Sequence, residues 1–281
     1  EISVILSVAE CISSRQGSGT LEIIGIHGYS GSGKSFLANQ IGRYLSTKGW
    51  IFLEGKFDRM RQGDAAFSMM MSALENFFCT MANDVIYYDQ VATKVREALG
   101  QDGVDSLSRV IPSLNKLVGD EMIDIHRVDS DGMHHSRIVR TGEESAMYEQ
   151  RIEYLLCVLV DAILSVGRPI LLLYDSTTQW ARLEESRFLQ HFLMHIADQT
   201  SSRKNILFIE CCDKKESEGL NASMIASHDS VNITRIEIGE FSKPALNDAI
   251  SHALHLPPRV TSPLSEIIHI KTMGNIMFVL E

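Results

Sequence analysis

The octet Gly28-Tyr29-Ser30-Gly31-Ser32-Gly33-Lys34-Ser35 satisfies the pattern GxxxxGK[ST] at every fixed position. It lies between an apolar, β-branched run at 21–26 and a helix-compatible run at 34–45, so the local order is strand, glycine-rich turn, helix. That order is what a phosphate-binding loop requires. Glycines let backbone N–H groups turn inward as an anion nest, and the helix opening near Lys34 directs its positive dipole end at the same point. In such a loop Lys34 reaches the β and γ phosphates of a nucleotide, and the Ser35 hydroxyl ligates Mg²⁺. The candidate binding set is therefore Gly28, Tyr29, Ser30, Gly31, Ser32, Gly33, Lys34, Ser35 and the following Phe36.

Outward from the octet, strand and helix patterns alternate, which predicts a parallel sheet with helical crossovers. Upstream, Ile2, Ile5, Leu6, Ala9 and Ile12 recur at helical spacing. Downstream, 50–54 reads as a strand and 66–81 as a buried helix dense in Met and Phe, where Met69-Met70-Met71, Phe67, Phe77 and Phe78 pack on the sheet. Strand signals then vanish over 83–144, which predicts a helical insertion: helices at 89–99 and 102–117, then a loop at 120–144. The strand and helix alternation resumes with a long helix at 145–166, strands at 169–175, 205–211 and 232–238, and a helix at 183–199. A helix at 242–254 follows with Ser242 as its N-cap, and a further helical element starts at 264.

Composition narrows the field. Of 281 residues, 44% are hydrophobic and 22% charged, with six Pro, which excludes disorder, collagen and coiled coil. No apolar run reaches the roughly 18 residues of a membrane span. A net charge of −10 repels phosphate backbones and anionic lipid, so neither nucleic acid nor membrane is an expected partner. Five cysteines without CxxC spacing read as reduced core thiols of a cytoplasmic protein. The beginning and end of the chain read as those of an excerpt from a longer polypeptide. His126, His134 and His135 with Asp129 and Asp131 lack the fixed spacing of a closed metal site. No Asn-Lys-x-Asp motif occurs, which disfavours a guanine nucleotide.

Magnesium held by a nucleotide needs an acid from a neighbouring strand, and Ile170-Leu171-Leu172-Leu173-Tyr174-Asp175 is a buried strand ending on one. Lys34 and Asp175 are thus the catalytic candidates, Ser35 and Asp175 the metal-binding ones. Asp175 is followed by Ser176, where hydrolytic enzymes of this kind place the acid that orients water.

The octet, Gly55-Lys56-Phe57-Asp58, Val110-Ile111-Pro112-Ser113-Leu114, Gln179-Trp180-Ala181 and Lys271-Thr272-Met273-Gly274-Asn275 occur in that order over nearly the whole chain. Together they resemble the AAA-type, origin-recognition-complex-like ATPase module of STAND signalling NTPases, found within large kinase, cyclase and regulator chains. The resemblance implies an α/β P-loop NTPase sandwich of three layers: a central parallel five-stranded sheet, a helical insertion at about 83–144, a core over 1–240 and a truncated helical lid at 241–281. It implies ATP and Mg²⁺ as cofactors, ATP and ADP as ligands, and flanking domains, other signalling proteins or self-association as partners. The sequence departs from the family pattern at three places. One acid rather than two precedes Gln179-Trp180, Cys211-Cys212-Asp213 stands where an Arg-Asp pair is common, and the family's Gly-Arg-Glu motif has no counterpart before Ile2. The expectation is an ATP·Mg²⁺ switch with weak or no hydrolysis. The alternatives are a competent ATPase whose water is oriented by Glu54, Glu210 or Asp213, and a vestigial interaction module.

Overall fold

The structure is a computed structural model of the chain, and it describes residues 1–14, 20–55, 67–81, 84–118, 142–175, 183–198, 205–213, 225 and 227–280. Five parallel strands form its sheet: β1 (Leu21–Gly28), β2 (Ile51–Gly55), β3 (Ile170–Asp175), β4 (Ile206–Asp213) and β5 (Val231–Ile238), in the spatial order β2-β3-β4-β1-β5. The expected α/β sandwich with a five-stranded parallel sheet is what forms. Each strand is a short β-branched or aliphatic run, and helices cover both faces, as a purely parallel sheet demands. β4 stands between β1 and β3, and its register sets Gly28 opposite Asp213 and Asp175 opposite Cys211.

Side chains alternate across the strands and divide the core in two. On one face α1 (Ile2–Ser14) and α2 (Lys34–Thr47) bury Ile5, Ala9, Ala38, Ile41 and Leu45 against Ile24, Ile26, Leu171, Leu173 and Cys211. Trp50 Nε1 donates to Ser13 Oγ at 3.2 Å and ties α1 to the start of β2. On the other face lie α3 (Ser68–Met81), α4 (Val85–Ser108), α5 (Ser113–Val118), α6 (Gly142–Ser165) and α7 (Leu183–Asp198). Met69, Met70 and Met71 are buried there, as the packing reading of that run predicts.

The described part of the insertion belongs to this larger core. Val91, Val95, Leu99 and Leu107 of α4 and Leu114 and Leu117 of α5 join the same cluster as α6 and the sheet. Polar ties fix its ends. Asp84 caps α4 by accepting from Tyr87 N–H, and Arg168 donates to its carboxylate at 2.7 Å, which holds that carboxyl below the usual range. Glu75 of α3 receives both the N–H and the hydroxyl of Ser113, closing the N-terminus of α5.

Three boundaries differ from the sequence reading. The two insertion helices expected at 89–99 and 102–117 form one run, Val85–Ser108, broken by the left-handed Gly100, and the second ends before Pro112. Pro112 lacks the N–H that would continue a helix, and α5 starts afresh behind it. The helix expected from 264 begins earlier: after α8 (Lys243–Leu254), α9 runs Pro258–Thr272 with Pro258 in its first turn and Pro263 inside it. Proline is well tolerated in a first helical turn, so Pro257-Pro258 marks an opening that reads as a break. α10 (Ile276–Leu280) has no counterpart in the sequence reading. Ser242 caps α8 as expected, its hydroxyl accepting from Ala245 N–H at 3.4 Å.

Candidate functional site

Local rules place the phosphate loop. β1 ends at Gly28, whose missing side chain is required: a Cβ there would lie 2.7 Å from both Ile238 O and Ser32 Oγ. Gly31 and Gly33 have φ of 80° and 93°, a left-handed conformation that L side chains rarely adopt. The chain so turned enters α2 at Lys34. The first backbone N–H of that helix bonded to a carbonyl four residues earlier is Leu37, to Gly33 O at 2.9 Å. The N–H groups at the opening of α2 therefore lack intrahelical acceptors, the condition that makes a helix N-terminus an anion site.

Lys34 is buried, and its Nζ donates to Gly28 O and Tyr29 O, both at 2.9 Å, so the ammonium sits within the curl of the loop. Ser32 is also buried, and its hydroxyl has no hydrogen-bond partner among the described residues. A buried hydroxyl of this kind costs about 1–3 kcal/mol unless something satisfies it. A cation inside the loop, an orphaned hydroxyl beside it and a glycine cradle that one Cβ would fill together suit a polyphosphate. The cavity over the loop measures about 290 Å³; Ser30, Gly31, Gly33, Lys34, Ser35 and Phe36 line one side, Ile276 and Met277 of α10 the other. Tyr29 and Phe36 are exposed.

Asp175 ends β3 on the same sheet face as α2. Its neighbour across the register, Cys211, is fully buried, and that thiol is pushed up by burial first and by the Asp175 carboxylate second, with Lys34 acting in the opposite sense. The acid and the cation therefore both act on one thiol. Ser35, in the first turn of α2, lies on the same cavity. The set Ser35 and Asp175 has the hydroxyl and carboxylate oxygens a hard cation such as Mg²⁺ takes. His27, one residue before the loop, is shifted to lower pKa, mainly by burial and then by Arg235. That shift favours the neutral imidazole beside the loop.

Several expectations lie outside the described residues: Lys56-Phe57-Asp58, the histidine and aspartate loop at 126–135, Ser176, and Gln179-Trp180-Ala181. Among the described residues no group of three or more His, Cys, Asp or Glu could hold a metal, and no helix is long and apolar enough to cross a membrane. The sequence reading missed the part played by the turn after α9. Asn275 Nδ2 donates to Ser30 O at 2.9 Å and Met277 N–H to Gly31 O at 3.2 Å, a contact between segments 245 residues apart. Asn275 was visible only as a motif letter, with no signal of what it touches.

The chain belongs to the AAA ATPase domain family, whose model matches residues 6–209. Its class is thus that of the AAA ATPase domains. No curated protein matches it. Among solved structures it is similar to the ORC2 protein of Aeropyrum pernix in its ADPNP-ADP complexes, at 11% identity and a TM-score of 0.49. It is similar to the ADP form of that protein at 12% identity and a TM-score of 0.47. Each comparison covers 97% of this chain and 58% of the other, so the chain spans less than two thirds of those proteins.

Proposed function

We propose that the chain is an ATP·Mg²⁺-binding switch module of STAND type, acting within a larger cytoplasmic signalling protein and hydrolysing ATP slowly or not at all. The observation that carries the reading is the loop itself: the Lys34 ammonium inside it, the unpartnered Ser32 hydroxyl, and the glycine turn that leaves room for phosphate. Bound ATP·Mg²⁺ supplies the anionic phosphates and the divalent cation that such a loop balances. In this assignment Gly28 to Phe36 hold the nucleotide, with Lys34 on the phosphates, and Ser35 and Asp175 serve the metal. The core covers 1–240, and α8 to α10 begin a lid at 241–281.

Slow turnover is supported by residue chemistry. Water attacking a γ-phosphate needs orienting, and positioned proton acceptors contribute about 10²–10⁴-fold. Ser176 offers no carboxylate after Asp175, and Cys211-Cys212 offers no guanidinium where the family commonly has Arg. The expected turnover is below about 10⁻² s⁻¹, in the range of unassisted switch NTPases. Titration with a fluorescent ATP analogue followed by phosphate release at saturating ATP tests the proposal. Absence of binding would leave a vestigial interaction module. Brisk release would favour the competent ATPase, and then Asp213, which the register sets opposite Gly28, is the first acid to replace.

Asp175→Asn carries a separate expectation. A neutral amide keeps the shape but weakens the attraction for a hydrated cation, so affinity for ATP with Mg²⁺ should fall about 10-fold while affinity in EDTA changes by less than about twofold. Paired titrations with and without Mg²⁺ measure the difference. Equal losses in both would make Asp175 a structural cap.

A further inference from the structure

The carbonyls of the phosphate loop divide between two sets of donors. Those of Gly28 and Tyr29 accept from Lys34 Nζ inside the loop, Tyr29 O also from Ser32 N–H at 3.1 Å. Those of Ser30 and Gly31 accept from outside it, from Asn275 Nδ2 at 2.9 Å and Met277 N–H at 3.2 Å. The amide of Asn275 is oriented by its own surroundings. Its Oδ1 accepts from Met277 N–H at 3.1 Å while Nδ2 serves Ser30, and a flipped amide would set like against like at both ends. Gly31 makes the approach possible. A Cβ on it would stand 2.6 Å from Asn275 Oδ1 and 2.8 Å from Met277 Cβ.

The turn bearing Asn275 is itself anchored at the base of the lid. Phe241 N–H donates to Gly274 O at 2.9 Å, and a side chain at Gly274 would run into Phe241 O. His269 Nε2 lies 3.1 Å from the same Phe241 carbonyl. A rigid turn thus grips the outer side of the loop.

We infer that Asn275 is a positioning residue for phosphate: by holding the Ser30 and Gly31 carbonyls outward it keeps the loop in its anion-binding form and couples the lid to the nucleotide. This rests on the nucleotide-binding reading above. A peptide whose C=O is held outward presents its N–H on the other side: behind Ser30 O stands the Gly31 N–H, while the Ser32 N–H behind Gly31 O donates to Tyr29 O at 3.1 Å and closes the turn, so the grip on Ser30 prepares a nest rather than blocking one. Lys34 has the opposite relation to the loop. When it turns to a phosphate it releases Gly28 O and leaves Tyr29 O to the Ser32 N–H alone, and the grip from Asn275 and Met277 then adds the outer restraint on opening of the loop. Binding of phosphate and docking of the turn therefore favour each other, and by linkage each strengthens the other by the same factor.

The test compares the parent with Asn275→Ala, using ATP and inorganic tripolyphosphate as probes and hydrogen exchange over 273–280 as a second readout. Loss of one hydrogen bond of this kind corresponds to about a 3- to 10-fold change in an equilibrium constant. Asn275→Ala is expected to weaken ATP and tripolyphosphate by the same factor in that range. Either ligand should slow exchange at 273–280 in the parent and do so less in the variant. Asn275 is only partly buried and lies outside both core clusters, so the variant is expected to fold, and a melting curve checks it. Unchanged affinity for both probes overturns the inference. Loss for ATP alone also overturns it, since Asn275 would then act at the base end and not on the phosphate nest. Equal ligand-induced protection in parent and variant does so too, because coupling would then not pass through this side chain. A parent that binds neither probe refutes the nucleotide-binding reading itself, a result seen before any variant is made.

Discussion

Lys34→Ala is expected to weaken ATP binding at least about 100-fold while shifting the melting temperature by only a few degrees. Hydrogen bonds to charged groups contribute about 1.5–3 kcal/mol each, so an ammonium bonded to two phosphates accounts for that factor or more. The folded chain depends on this side chain much less. Its two bonds to Gly28 O and Tyr29 O are to backbone acceptors at the rim of the sheet, beside the cavity rather than within either apolar cluster. These bonds are charge-assisted too, but truncation also removes the cost of burying the ammonium, so the expected net loss is about 1–2 kcal/mol, which for a chain of this size is a shift of about 2–8 °C. Calorimetric titration and thermal denaturation on the same preparation separate the two effects. A variant that keeps the parent's affinity would remove Lys34 from the phosphate site. A variant that does not fold would make it a structural residue.

Phe208→Ala is expected to lower unfolding free energy by about 3–5 kcal/mol. Phe208 is fully buried on β4, in register with Ile23 of β1 on one side and Leu172 of β3 on the other. Its ring stacks on Tyr174 with centroids 6.3 Å apart and an angle of 23°. The backbones of both flanking strands are held by their hydrogen-bond ladders, which limits how far the space it would leave can close. Against a total stability of about 5–15 kcal/mol the loss is a large share. Urea unfolding measures it through the midpoint at constant slope, with Phe36→Ala, at an exposed position, expected to stay within about 0.5 kcal/mol of the parent. A loss below about 1 kcal/mol would contradict the placement of β4 at the centre of the sheet.

The fold was largely legible because its evidence is local. Leu21 to Ile26, the glycine turn and the run from Lys34 carry strand, loop and helix within twenty-five residues, and Ile170 to Asp175 is an apolar run of strand length whose terminal acid and place in the alternation assign it to the sheet. The strand order is another matter. Nothing in the β4 sequence says that it lies between β1 and β3, since that is decided by which crossover buries which face. The candidate site divides in the same way. Lys34, Ser35 and Asp175 could be named because their chemistry follows from residue type at a fixed spacing. The grip of Asn275 on Ser30 could not, because hydrogen bonding between segments 245 residues apart leaves no periodicity to read. The boundaries at 112 and 258 were misjudged for one physical reason. Proline is both a helix breaker and a helix opener, and only the surrounding backbone decides which role it takes.

Gly274 and Phe241 give the lid a mechanical character. The turn is pinned to Phe241 at its foot and to the phosphate loop at its tip, and at the far end of α9 Asn247 of α8 donates to Pro258 O and accepts from Thr261 Oγ1, so α8 and α9 form one body that meets the loop at this turn. The fifteen residues of α9 extend about 22 Å, so a tilt of about 5° at the turn would carry the Pro258 end through about 2 Å. If that body turned with the loop, a rearrangement of one carbonyl's width there would be magnified into a larger displacement at the Pro258 end. That displacement grows with helix length. Lengthening or shortening α9 by whole turns would therefore retune the amplitude of the output without touching a single residue of the phosphate loop.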